Sequence, residues 1–153
     1  MKEQLLETWR IHNKMNLLLM DNITDAGMER TSSPRGRTVY HQLAHMHNVR
    51  IQWLEVCAPD IFKKHPAIKK ETALDRKGLR QAFEGSAAGI EELIHKSCDN
   101  EGRVKNFKKG VIPLTGYFIS HESHHRGNIL LTLKQAGENL PDALKWGLWE
   151  WGK

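Results

Sequence analysis

Cysteine is nearly missing from this chain: Cys57 and Cys98 are the only two among 153 residues. So few thiols do not make a disulfide framework. They fit a reducing cytoplasm, where both are expected to be free. Long apolar runs are missing too, and none approaches the roughly 20 residues that a membrane span needs. The N-terminal stretch Met1-Lys-Glu-Gln-Leu-Leu-Glu-Thr-Trp is amphipathic and carries acids early, which is not a secretory signal. Strand signals are almost absent, as are internal repeats, low-complexity tracts and linkers long enough to divide the chain. What remains is a length suited to one domain with one core over residues 1–153, expected in the cytoplasm and away from membranes. The net charge of +5 permits weak attraction to polyanions. The lysines are scattered in loops, however, without an aromatic-interleaved basic stripe or a nucleic-acid motif, so no nucleic-acid partner is expected.

The apolar periodicity is helical. Leu5, Leu6, Trp9, His12, Met15, Leu19 and Ile23 recur at helical spacing over residues 2–22. Residues 24–37, with Gly27, Ser32, Ser33, Pro34 and Gly36, read as a loop. A second helix spans Thr38 to Cys57, with Thr38 as N-cap and Pro59 just past its end. A basic connection over 60–72, with a helical turn around Ile61 to Lys64, leads to a third helix over 73–97. That helix contains Gly78, Gly85 and Gly89, which weaken it or admit a close neighbour. A polar, lysine-rich turn or short hairpin follows over 99–110. The fourth helix runs from Leu114 to Ala136, preceded by Pro113 and ended by Gly137. A short extra helix after Pro141 carries Trp146, Trp149 and Trp151. Four long helices and an appendage predict an all-α four-helix bundle.

The fourth helix holds the most informative run, Tyr117-Phe-Ile-Ser-His121-Glu-Ser-His124-His125-Arg126-Gly127-Asn128. His121 and His125 are four residues apart and share a helix face. At about 100° per residue, Leu114, Phe118, Ile129, Leu133 and Ala136 cluster roughly 60° from His121, with His125 between. Both rings therefore point inward, where they can converge on one metal ion or sit as hydrogen-bonded core histidines. His124 falls on the border of that face. Glu122, about 100° round the helix from His121, reads as a surface carboxylate. Arg126 is expected to pair with a helix neighbour rather than an anionic substrate. Asn128 and Thr132 share the histidine face. A third ligand should come from the second helix, since bundle metal sites are built between facing helices. His45 and His47 lie on opposite flanks of its apolar face, and periodicity leaves the choice between them open. His41 lies further toward water.

Taken together, Thr38-Val39, Leu43-Ala44-His45 and Trp53-Leu54, followed by His121-x-x-x-His125-Arg126-Gly127, resemble the DinB/YfiT-like family of bundle metalloproteins. The resemblance covers most of the chain and selects His45, seven residues after the threonine and eight before the tryptophan. It implies an up-down-down-up bundle, a divalent metal on His45, His121 and His125, and often a homodimer. It also implies thiol-dependent transferases and isomerases among relatives. Arg37 stands where many members carry tryptophan, a departure on the substrate side rather than the metal side.

Three neutral imidazoles suit Zn or Ni first, with Fe or Mn also compatible. Three protein ligands leave positions open, the pattern of a catalytic rather than a closed site. The expected activity is that of a metal-dependent hydrolase, or of a transferase or isomerase acting on a small molecule with a low-molecular-weight thiol. The alternative is a non-catalytic, metal-stabilised, stress-related interaction protein whose tryptophan tail contacts a partner.

Overall fold

Side-chain caps set where several helices begin. A computed structural model describes residues 1–71 and 74–152. Its elements are α1 (Lys2–Asp21), α2 (Asp25–Met28), α3 (Val39–Cys57), α4 (Pro59–Phe62), α5 (Arg76–Asp99), α6 (Val111–Gln135) and α7 (Asp142–Gly147). No strand occurs among the described residues. Thr24 Oγ1 accepts from the Gly27 amide at 2.9 Å, and Thr38 Oγ1 accepts from the His41 amide at 3.1 Å. Asp75 Oδ1 accepts from the Gly78 amide at 2.7 Å. Each cap satisfies an amide that has no partner within its helix and is worth about 1 kcal/mol.

Several boundaries differ from expectation. The loop over 24–37 contains the single turn of α2. The third long helix, expected over 73–97, runs over 76–99 behind its Asp75 cap; position 73 lies outside the described residues. The fourth starts at Val111 instead of Leu114, so Pro113 sits inside its first turn. There its missing N–H removes nothing, because the first amides of a helix have no intrahelical acceptor. Gly137, at φ 74°, ends α6. Its amide donates to Lys134 O at 3.1 Å and that of Glu138 to Leu133 O at 3.0 Å, a Schellman closure.

Cross-helix pairs give the directions of the four long helices. Trp9 meets Phe118, His12 meets Glu122 and Asn16 meets Arg126, so α1 and α6 run parallel. Arg50 bonds Phe83 O and Ser86, and Leu54 lies against Gly89, so α3 and α5 are parallel to each other. Trp53 meets Tyr117 and Arg50 meets Glu122, which makes α3 antiparallel to α6. Arg10 meets Glu91 and Lys2 meets Asp99, which makes α1 antiparallel to α5. The bundle is therefore up, down, down, up. The parallel pair α3 and α5 requires a long crossover, supplied by α4 and the connection after it. Gly89 permits a close approach of α5 to α3: a Cβ there would stand 2.9 Å from Leu54 Cδ1.

Two apolar clusters fill the interior. One gathers Leu6, Trp9, Ile51, Leu54, Ile90, Leu114 and Phe118. The other gathers Met15, Leu19, Leu43, Met46, Phe83, Ile129 and Leu133. Between them lies a buried polar layer of His12, Asn16, Arg50, Ser86 and Glu122. Leu144 and Leu148 anchor the tail, leaving Trp146 70% and Trp149 80% exposed. Cys57 and Cys98 are free thiols. No helix among the described residues is long and apolar enough to cross a membrane.

Candidate metal centre

The i, i+4 pair on α6 meets one histidine of α3. The ring centroids of His121 and His125 are 4.7 Å apart. His45 lies 5.3 Å from His121 and 4.9 Å from His125. Each ring can offer a nitrogen within 4.8 Å of the other two. The antiparallel crossing of α3 and α6 brings them together. His125 is buried, and His45 and His121 are half-buried on the solvent side.

This group of three favours neutral imidazole. Burial lowers the pKa of His45, and the charge of Arg37 adds to the effect. Burial likewise lowers that of His121. His125 is pushed down to about 4, first by burial and then by His121 and His45 beside it. Neutral rings carry the lone pairs that metal ligation needs, so the donor set fits a first-row divalent ion. Gln42 Oε1 stands 3.5 Å from His125 Nδ1, a long contact on the side where a ligating histidine usually donates its other N–H. His121 is stacked against Tyr117 with an interplanar angle of 14°. Trp53 and Phe107 continue that aromatic wall. Neither Gln42 nor Tyr117 was singled out from the sequence, because polar and aromatic residues on a helix flank carry no ligand signature of their own.

The other histidines lie elsewhere. His47 is buried toward the crossover, with Nε2 3.0 Å from Pro66 O. His124 is exposed and pairs with Asn128 Nδ2 at 3.0 Å. His41 is exposed and bonds its own cap, Thr38. Asn128 is also exposed, and Thr132 donates to Asn128 O.

Glu122 corrects the surface reading. It is buried in the polar layer, where its carboxylate accepts from Arg50 Nε at 2.6 Å and from Arg50 Nη2 at 2.7 Å. Asn16 Nδ2 donates to it at 2.6 Å, and His12 Nε2 lies at 2.9 Å. Burial alone would raise its pKa, but the Arg50 guanidinium and these bonds outweigh burial and hold it well below the ordinary carboxylate range. The remaining Arg50 donors reach Asn13, Phe83 O and Ser86. Arg126 donates to Asn16 Oδ1 at 2.7 Å and to Ser123, the structural pairing expected of it. The sequence signal for this layer is polar residues inside apolar stripes: His12 and Asn16 on α1, Arg50 between Val49 and Ile51 on α3.

Beside His45 opens a cavity of about 540 Å³. His45 belongs to its wall, together with Arg35, Arg37, Tyr40, Lys69 and Lys70.

The chain was compared with known proteins. A crystal structure of a DinB-like protein from Bacillus cereus superposes with a TM-score of 0.69, covering 91% of this chain and 95% of that one at 18% identity. That similarity shows the shared fold. No curated protein matches the chain. The DinB family model matches residues 1–144, nearly the whole of the sequence and all three clustered histidines, and the chain belongs to the DinB family.

Proposed function

We propose that this protein is a metal-dependent enzyme in which His45, His121 and His125 hold one divalent ion, Zn or Ni first and Fe or Mn next. Its reaction is hydrolysis, or thiol-dependent transfer or isomerisation, on a small molecule. One observation carries this reading: three neutral imidazoles from two helices converge, while the adjacent carboxylate Glu122 is sealed away on Arg50. An ion on such ligands supplies Lewis-acid activation of a carbonyl, a water or a thiol. The chain's residues hold the rings neutral, orient His125 through Gln42 and wall the open side with Tyr117. Glu122 is buried and bonded to Arg50, Asn16 and His12, so it is not the general base.

The test is chelator-treated protein reloaded with each ion in turn. It is assayed for aryl-ester hydrolysis and for conjugation of low-molecular-weight thiols to electrophiles. Turnover that appears with metal and is lost in His121→Ala supports the proposal. Turnover that persists in His121→Ala at wild-type rate removes it.

A second reading has its own support. Trp146 and Trp149 are large apolar side chains left exposed near the end of the chain, as an interaction protein would need. We propose that a homodimer covers such apolar surface, with Leu131, also exposed on α6, as a further part of the contact. Sedimentation of Trp146→Ser/Trp149→Ser against wild type tests it: a monomer from the variant supports the tryptophan contact, and an unchanged mass removes it.

A further inference from the structure

The wall of the 540 Å³ cavity carries Arg35, Arg37, Lys69 and Lys70 and no acidic residue. Four cations with no carboxylate beside them thus meet around one concavity. Elsewhere Arg10, Arg30, Arg76, Arg80 and Lys96 each lie against a carboxylate. Among the described residues, none of the four cavity cations is in such a pair.

The two segments that carry them are pinned. Asn48 clamps the backbone of Ile68 from both sides, accepting from its amide at 2.8 Å and donating to its carbonyl at 2.9 Å. His47 holds Pro66 O one turn away. Together they hold the chain leading to Lys69 and Lys70 against α3. On the other rim, the Val39 amide donates to Arg30 O at 2.9 Å and Thr31 bridges to Thr38. This closes the loop that presents Arg35 and Arg37. Like charges held around a concavity repel one another and focus a positive field into it, which an anion relieves. The volume suits a small molecule rather than a macromolecule. His45 is shared by this wall and by the three-histidine cluster, so an occupant of the cavity lies beside the histidines. The charge of Arg37 reaches all three.

We propose that the cavity is the substrate-binding subsite and that Arg35, Arg37, Lys69 and Lys70 take the oxyanion of an anionic small molecule, a carboxylate or a phosphate, whose reactive end faces the three histidines. This rests on the metal-dependent reading above in naming where the reactive end goes. The oxyanion contact itself does not depend on it. Arg37 is the specificity-determining residue: its fork suits a bidentate oxyanion contact, and its place on the rim nearest α3 sets the anion beside the histidines.

The experiment is calorimetric titration of chelator-treated protein at low salt with inorganic phosphate, with succinate and with the neutral diamide of succinate. Wild type, Arg37→Gln, Lys69→Gln/Lys70→Gln and the distant surface control Lys105→Gln are compared. Saturable binding of one or both oxyanions is expected, with none of the diamide. Affinity should weaken about tenfold in each cavity variant and fall as salt rises. Tighter phosphate assigns a phosphate ester, and tighter succinate a carboxylate. Equal affinity in wild type and the cavity variants, or no saturable binding of either oxyanion, overturns the proposal. Metal content of the same variants separates the two readings. Normal metal with anion binding indifferent to these charges removes the subsite alone. Charge-dependent anion binding with no metal on His121 removes the metal centre alone.

Discussion

Two polar clusters built on α3 and α6 are neighbours in sequence, since His121 belongs to one and Glu122 to the other. They differ in how completely the protein satisfies them. In the polar layer each Arg50 N–H has an acceptor, and Glu122 accepts from three residues. Arg50 is further covered by the faces of Trp9 and Phe83. Around the three histidines the only hydrogen bond to a ring nitrogen among the described residues is the 3.5 Å contact of Gln42 with His125, and the buried Nδ1 of His121 has none. The first cluster is nearly closed: among its buried side-chain atoms only His12 Nδ1 lacks a partner. The second brings a nitrogen of each ring within 4.8 Å of the other two, and His45 lies in the wall of an open cavity. Burial of a polar side chain therefore does not separate the two clusters; the convergence of three imidazoles, one of them in the wall of a cavity, does.

Breaking the closed cluster should cost the most. Glu122→Gln leaves Arg50 with an uncompensated buried charge and should destabilise by about 3–5 kcal/mol in urea unfolding. Adding Arg50→Met should recover part of that loss, because the two costs describe one interaction. If Glu122→Gln unfolds like wild type, the layer is not the network described.

His47→Ala should come next. It empties a buried position and strands Pro66 O, for a loss of about 1–3 kcal/mol. Its metal content should stay at the wild-type level, which separates it from His45.

A smaller, graded loss should follow acidification of the chelator-treated protein. Burial holds the pKa of His12, His47 and His125 below the ordinary value of about 6.5. As pH falls, the unfolded chain therefore takes up protons first. The stability these groups contribute is present above about pH 6.5 and is lost between there and their folded values, about 4 for His125. A stability curve flat from pH 7.5 to 4.5 would contradict this. The smallest effect on stability is expected for His45→Ala without metal, within about 1 kcal/mol, since its ring is half-exposed and has no hydrogen bond among the described residues.

The same contrast decides what could be read from sequence. Thr38 capping α3 was legible because capping is local chemistry. His121 and His125 were legible because four residues on one helix fix a shared face. His45 against His47 was not legible from periodicity. α3 buries Val39, Gln42, Leu43, Met46, His47, Arg50, Ile51 and Leu54 around most of its circumference, so its wheel has no single inward direction. The resemblance to relatives supplied that choice. Glu122 was misread because its partners lie 72 and 110 residues away, and the apolar face of one helix says nothing about a guanidinium arriving from another. The start of α6 was missed because Pro113 reads as a boundary, although a first turn tolerates it.

The central claim is that the three convergent histidines are the metal ligands. Its most direct test is metal per protomer by elemental analysis. The untagged wild type is compared with His45→Ala, His121→Ala, His125→Ala and His47→Ala after equal exposure to Zn or Ni. The account predicts about one ion in wild type and in His47→Ala, and a near-empty site in the other three. Full metal in His121→Ala and His125→Ala, or an emptied site in His47→Ala with metal retained in His45→Ala, would contradict it.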